Sequence, residues 1–204
     1  MPLALVGPLL QIPDSGAAAV VVRRSLSVNN NLIVVAGGGG GTGAWGENWV
    51  RNKEYYSYIS GNDSCDAGQG GHTMTAVNSA GVSLSTAGGG QPGTLTSPGL
   101  GGTSDRSYTS TLDGHPGQGS AGADGVSTNT IASGLTHSVS SGSGGGGYCA
   151  GGSGSVLYWD RNNGNYITLG GDGGGGSNSV SSAVSGGSTN ITSESVGMVI
   201  VSFS

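Results

Sequence analysis

Leu32-Ile33-Val34-Val35-Ala36 runs without a break into Gly37-Gly38-Gly39-Gly40-Gly41, and this junction decides how the rest of the chain is read. Four large apolar residues, three of them β-branched, read as a short buried strand. The five glycines that follow carry no side chain at all. The same two elements recur on either side. Apolar runs return at Ala19-Val20-Val21-Val22 and Val199-Ile200-Val201, and glycine tracts at Gly88 to Gly90, Gly101-Gly102, Gly144 to Gly147, Gly151-Gly152 and Gly173 to Gly176. The tracts keep no fixed period, which excludes collagen, where every third residue is Gly over a long run.

Of 204 residues 45 are Gly, and with Ser, Thr and Asn they fill 105 positions. Leu, Ile, Val and Phe together number 39, with a single Phe, Phe203, so a large side-chain core cannot be built. Such a composition invites disorder, because few groups offset the entropy of the chain. Two features oppose it: only 8% of residues are charged, and the apolar ones are gathered into runs. An ordered domain is expected. No apolar run approaches the roughly 20 residues of a membrane-spanning helix. The net charge of −5 and a single lysine, Lys53, exclude a phosphate-backbone partner, so no nucleic acid is expected.

The apolar start, Met1 to Leu10, lacks a basic residue before Arg23 and is interrupted by Pro2 and Pro8, with Pro13 close behind. It therefore does not read as an export leader. Synthesis in the cytoplasm is expected, with Asn62-Asp63-Ser64 and Asn190-Ile191-Thr192 unmodified. Residues 1–16 read as an attachment arm, because Leu3, Leu5, Val6, Leu9 and Leu10 need a partner and the prolines disfavour regular structure. Residues 17–204 read as one glycine-rich domain.

Glycine is too frequent for helices, and only Trp45 to Ile59 offers a window for one. The fold class expected is mostly β or irregular with almost no α-helix: packed polyglycine II helices framed by short strands. A left-handed extended helix of three residues per turn makes no internal hydrogen bonds, so its peptide groups must bond to neighbouring helices. Gly allows that approach. The core is then backbone. The Gly-poor stretches His72 to Ala87 and Val126 to Ser141, with spaced Val, Leu and Ile, read as ordinary strands.

The segment Ser25 to Ala36 followed by Gly37 to Gly41 resembles the opening of glycine-rich domains of bacteriophage tail fibres and adhesins, and Val196 to Phe203 resembles their closing strand. The resemblance spans about Ala17 to Ser204. It implies packed polyglycine II helices with variable loops at one end that contact the host surface. On this reading the chain is a non-enzymatic virion protein, a receptor-binding adhesin or fibre tip. Its partners would be other virion proteins through the N-terminal arm, a host glycan or outer-membrane protein, and copies of itself. A purely structural virion or filament subunit is the first alternative, and an ice-binding protein the second.

Catalytic signals are weak. Gly41-Thr42-Gly43-Ala44-Trp45-Gly46 matches a dinucleotide fingerprint literally, but no alternation of strand and helix follows, and Gly117 to Gly122 matches the same expression. His72, His115 and His137 lie far apart and read as loop residues. Asp63, Asp66, Asp113, Asp124, Asp160 and Asp172 read as turn residues, without the spacing of a calcium loop. Cys65 and Cys149 are read as two free thiols, with pairing after cell lysis the alternative. No cofactor, metal or catalytic group is expected.

The aromatics carry the functional signal. Trp45, Trp49, Tyr55, Tyr56 and Tyr58 fall in one group, and Tyr148, Tyr158, Trp159 and Tyr166 in a second. Rigid side chains with polar tips suit a receptor-binding surface, and Glu47, Arg51, Asp160 and Arg161 lie among them. The plainer reading is that these rings pack against the scaffold or a neighbouring subunit.

Overall fold

A computed structural model describes residues 20–23, 32–43, 57–59, 68–77, 80–105, 110–132, 135–160 and 166–182. Among these there is no helix. Eleven short strands occur: β1 Val20–Arg23, β2 Leu32–Ala36, β3 Ser57–Ile59, β4 Met74–Val77, β5 Ser83–Ala87, β6 Ser110–Leu112, β7 Ser127–Ala132, β8 Leu135–Ser140, β9 Val156–Asp160, β10 Tyr166–Gly170 and β11 Ser179–Val180. The mostly β and irregular class read from the sequence is what the described residues adopt. The strands expected within His72 to Ala87 and Val126 to Ser141 are β4, β5, β7 and β8. The arm, most of the window Trp45 to Ile59, and Val196 to Phe203 lie outside the described residues.

All pairings are antiparallel, in sheets ordered β1-β2-β11, β10-β9-β6 and β3-β4-β5, with β7-β8 as a separate pair. Between the strands run glycine-rich segments 37–43, 68–73, 88–93, 99–104, 113–119, 121–126, 141–148, 149–155 and 171–177. Their backbone groups bond to one another across large sequence separations rather than within a segment.

The partners repeat every third residue. In tract 171–177 the N–H groups of Gly171, Gly174 and Ser177 donate to tract 149–155, at the carbonyls of Ser155, Gly152 and Cys149. Those of Asp172 and Gly175 donate to tract 68–73, and those of Gly173 and Gly176 to tract 37–43. Tract 149–155 behaves alike. Ala150 and Ser153 donate to tract 113–119, Gly151 and Gly154 to tract 141–148, and Gly152 and Ser155 to tract 88–93. Its carbonyls accept from tracts 99–104, 121–126 and 171–177. Six tracts thus surround this one, and every residue from Ala150 to Tyr158 is buried.

Only small residues permit such closeness. A Cβ placed on Gly90, Gly102, Gly145, Gly151, Gly154, Gly173 or Gly174 would overlap a backbone carbonyl of a neighbouring tract. Each glycine costs more chain entropy than another residue would. Peptide hydrogen bonds shared by the tracts satisfy the buried backbone groups and offset that cost.

Hydrogen-bond registers fix the direction of each tract. Tracts 88–93, 141–148 and 171–177 run parallel to one another, because Gly90 and Gly93 donate to Asp172 and Gly175, and Gly142 and Gly145 to Gly171 and Gly174. Tract 149–155 runs against them. The chain therefore goes up and down, and the bundle has two poles. At one, the hairpins β4-β5, β7-β8 and β9-β10 turn the chain, joined by β3 and β6. At the other, the turn pole, the tight turns at Thr94–Ser97, Gln118–Ala121 and Tyr148 do so, beside the sheet β1-β2-β11.

The side-chain core sits at the hairpin pole. Met74, Ala76, Ala87, Leu157, Ile167 and Leu169 form its main cluster, with Leu84 and Trp159 packed against it, and Val126, Val139 and Val156 form a second. Alternation along β9 sends Leu157 and Trp159 toward the first cluster and Val156 toward the second. A strand covered on both faces needs an unbroken apolar run, which Val156-Leu157-Tyr158-Trp159 supplies.

Candidate functional site at the hairpin pole

Strands β3, β9 and β10 bring the backbones of Tyr58, Tyr158, Trp159 and Tyr166 to the hairpin pole. Tyr58 pairs with Ala76, Tyr166 with Asp160, and Trp159 with Ile167. Trp45, Trp49, Tyr55 and Tyr56 lie outside the described residues. The residues that bracket them do not: Gly43 ends tract 37–43 beside Asp172, and Ser57 opens β3 opposite Val77. Both brackets are at the hairpin pole.

The second aromatic group divides. Tyr148 stands at the turn pole, 41% exposed, with its N–H donating to the Ser177 carbonyl at 2.9 Å. Tyr158 is only 4% exposed, so the expectation of a solvent-facing ring there is corrected. The cause is its place on β9, the middle strand of its sheet, where layers cover both faces. Trp159 is half-buried against the main apolar cluster, so at least part of its ring serves packing.

Asp172 and His72 overturn a further expectation, that these were separate turn and loop residues. Asp172 lies inside tract 171–177, and 4% of its side chain is exposed. Its Oδ1 accepts a hydrogen bond from the Gly43 N–H at 2.7 Å. Its own N–H donates to the His72 carbonyl at 3.1 Å, and its carbonyl accepts from Gly90 at 2.8 Å. Oδ2 lies 3.3 Å from Nδ1 of the half-exposed His72 and accepts no hydrogen bond. Burial pushes this carboxyl above its ordinary value, while the Gly43 amide and the His72 ring pull the other way. Tracts 37–43 and 68–73 thus meet the carboxylate of tract 171–177, and tract 88–93 bonds to the backbone carbonyl of the same residue. The sequence signal was an Asp with glycine on both sides within a glycine run, where a turn is not needed.

His115 is exposed, its N–H donating to Ser153 Oγ at 2.8 Å, and Asp113 Oδ1 accepts from the Ser104 N–H at 3.3 Å. Cys149 is a free, half-buried thiol at the turn pole, and Cys65 lies outside the described residues. Gly41 and Gly43 of the dinucleotide-like string lie in an extended tract, and Gly117 to Gly122 spans a turn with Gly119 at φ +58°, so neither opens a helix among the described residues. No group of three His, Cys, Asp or Glu converges among the described residues. Among the described residues the large apolar side chains most open to solvent are Val82, in the β4-β5 turn, with Leu95, Leu100, Leu112 and Tyr148. The chain matches no protein-family model, no curated protein and no solved structure.

Proposed function

We propose that this chain is a virion surface protein, a receptor-binding adhesin or tail-fibre tip, whose glycine tracts are packed polyglycine II helices and whose hairpin pole faces the host. The observation that carries the reading is the three-residue recurrence of bonding partners. It is the period of a polyglycine II helix, whose peptide groups turn to a new neighbour at each residue. A seven-residue tract of that form spans roughly 20 Å, enough to hold two poles apart as attachment and display ends.

Two further observations support this polarity. The first described residue, Val20, pairs with Ala36 at the turn pole, on the side where residues 1–16 would join the particle. Gly43 and Ser57 hold both ends of the aromatic stretch at the other pole. A host glycan or outer-membrane loop would meet Trp45, Trp49, Tyr55, Tyr56 and Tyr58 there.

The structural-subunit reading is favoured by a different observation. Leu95, Leu100 and Tyr148 are exposed on or near the turn pole and suit contacts between subunits. Particles carrying Trp49→Ala with Tyr56→Ala separate the two. An adhesin loses host-cell adsorption at normal assembly yield; a structural subunit loses yield, and the particles that form adsorb normally. Unchanged adsorption sinks the adhesin reading.

A further inference from the structure

The start of the central tract 149–155 gathers Leu95, Leu100 and Tyr148 at one place. Tyr148 precedes Cys149 in the chain. A Cβ on Gly93, two residues before Leu95, would overlap the Cys149 carbonyl oxygen, and Gly99, one residue before Leu100, donates its N–H to the Ala150 carbonyl at 2.8 Å. The three side chains are 63%, 60% and 41% exposed, which makes an apolar patch at the turn pole. The turns around it, Thr94–Ser97 and Gln118–Ala121, hold no charged residue.

One segment of the chain complements this patch. Leu3, Val6, Leu9 and Ile12 recur at every third position, with Pro2, Pro8 and Pro13 among them. In the extended helix that proline favours, three residues make a turn, so these four side chains share one edge with about 9 Å between successive members. Residues 1–13 carry no charged side chain, so seating that edge on the patch strands no charge in an apolar contact. Tyr148 supplies an aromatic ring of the kind such helices pack on, and a chain already extended loses little entropy in doing so. The reach is sufficient. β1 starts at Val20 beside Ala36, the Gly37 N–H is held by Asn178, and Ser177 accepts the Tyr148 N–H, so about three neighbour spacings of roughly 5 Å separate Val20 from Tyr148. Residues 13–19, fully extended, span about 23 Å.

We propose that the turn pole is a docking surface for this chain's own residues 3–12, seated as an extended threefold helix whose edge of Leu3, Val6, Leu9 and Ile12 covers Leu95, Leu100 and Tyr148. The occupant is the same chain rather than a second copy, because so short a tether holds the edge at an effective concentration on the order of millimolar. A partner that recruits the arm must therefore lift it from the pole, and in doing so uncovers the patch. The docking stands apart from the adhesin reading, which concerns the hairpin pole.

The test is nuclear Overhauser contact between the methyl groups of residues 3–12 and the Tyr148 ring in the full chain. Contacts from Val6 or Leu9 are expected when one chain carries both labels, and none in a mixture of chains labelled at one group or the other. Leu9→Asp places a charge on the apolar edge and should abolish the contacts. Leu10→Asp lies one position off that edge and should keep them. Both substitutions precede β1, and unchanged amide exchange in β2 verifies that the bundle is intact. Contacts confined to the mixture assign the patch to a second copy, no contact in either sample leaves it to a different partner, and equal loss in the two variants removes the three-residue register; each of these overturns the proposal.

Discussion

Gly151 and Gly174 meet backbone to backbone: a Cβ on Gly151 would overlap the carbonyl oxygen of Gly174, and the atoms around it are backbone as well. Nothing there can rotate aside. Gly151→Ala should therefore cost more than about 4 kcal/mol, in the range of the most damaging single substitutions, and leave little cooperatively folded protein. At Gly70 the same methyl group would meet Pro92 Cδ at 3.5 Å and the Gly90 carbonyl oxygen at 3.8 Å, both ordinary contacts. Gly70→Ala should fold normally and change stability by less than about 1 kcal/mol, in the stabilising direction if at all. Denaturant titration of both variants checks the contrast, and equal losses would refute close packing as the reason for glycine.

The main apolar cluster predicts a second contrast. Leu157 and Leu169 are fully buried, so truncating either to Ala should cost about 2–5 kcal/mol and lower the melting temperature by about 2–4 °C for each kcal/mol. Val82 is 57% exposed. Val82→Ala should stay within about 0.5 kcal/mol of wild type. Calorimetry on the three variants measures this.

Asp172 should make stability depend on pH. Its folded carboxyl binds the proton more tightly than in the unfolded chain, where the ordinary value is 3.8. The stability this confers is present below that value and is lost as the pH rises through the higher folded one. Asp172→Asn removes the ionisation, so the variant's melting temperature should gain on wild type between about pH 4 and about pH 7. A constant difference across that range would show that the burial of the charge carries no cost.

Ser177 predicts the worth of a side chain inside the lattice. Its Oγ accepts from the Cys149 N–H at 2.9 Å and donates to the Cys149 carbonyl at 3.1 Å. Ser177→Ala leaves that N–H without this acceptor and should cost about 1–3 kcal/mol. Exchange of the Cys149 amide should quicken more than that of Gly152, which bonds to Gln91.

Much of the fold was legible in the residues. Leu32 to Val35 and Val20 to Val22 announced β2 and β1, because β-branched runs have few other uses. The glycine-poor stretches gave their hairpins for the same reason. Tyr158 was misread, although Val156-Leu157-Tyr158-Trp159 lacks the polar alternation of a strand with an open face. Its aromatic neighbours drew attention instead of its pattern. The pairing of tracts was not legible at all. Glycines carry no side chain to mark which neighbour each faces, and the three-residue rhythm is kept by N–H directions while Ala150, Ser153 and Asp172 interrupt the letters. For the candidate site, Gly43 and His72 are linked by Asp172 across roughly a hundred residues or more, beyond the reach of any local pattern.

The encirclement of tract 149–155 also sets an order of events. Its neighbours lie in sequence from Gly88 to Ser177, so most bonds of this central tract join residues far apart along the chain. Folds dominated by such distant pairings form slowly, since each loop must close before its contacts repay it. A ribosome adding about 5–20 residues per second would have to release Ser177 before the tract could be enclosed. The bundle must then assemble after most of the chain has been made, and its glycine tracts spend that interval in water, where low charge and few large apolar groups give them little to aggregate with.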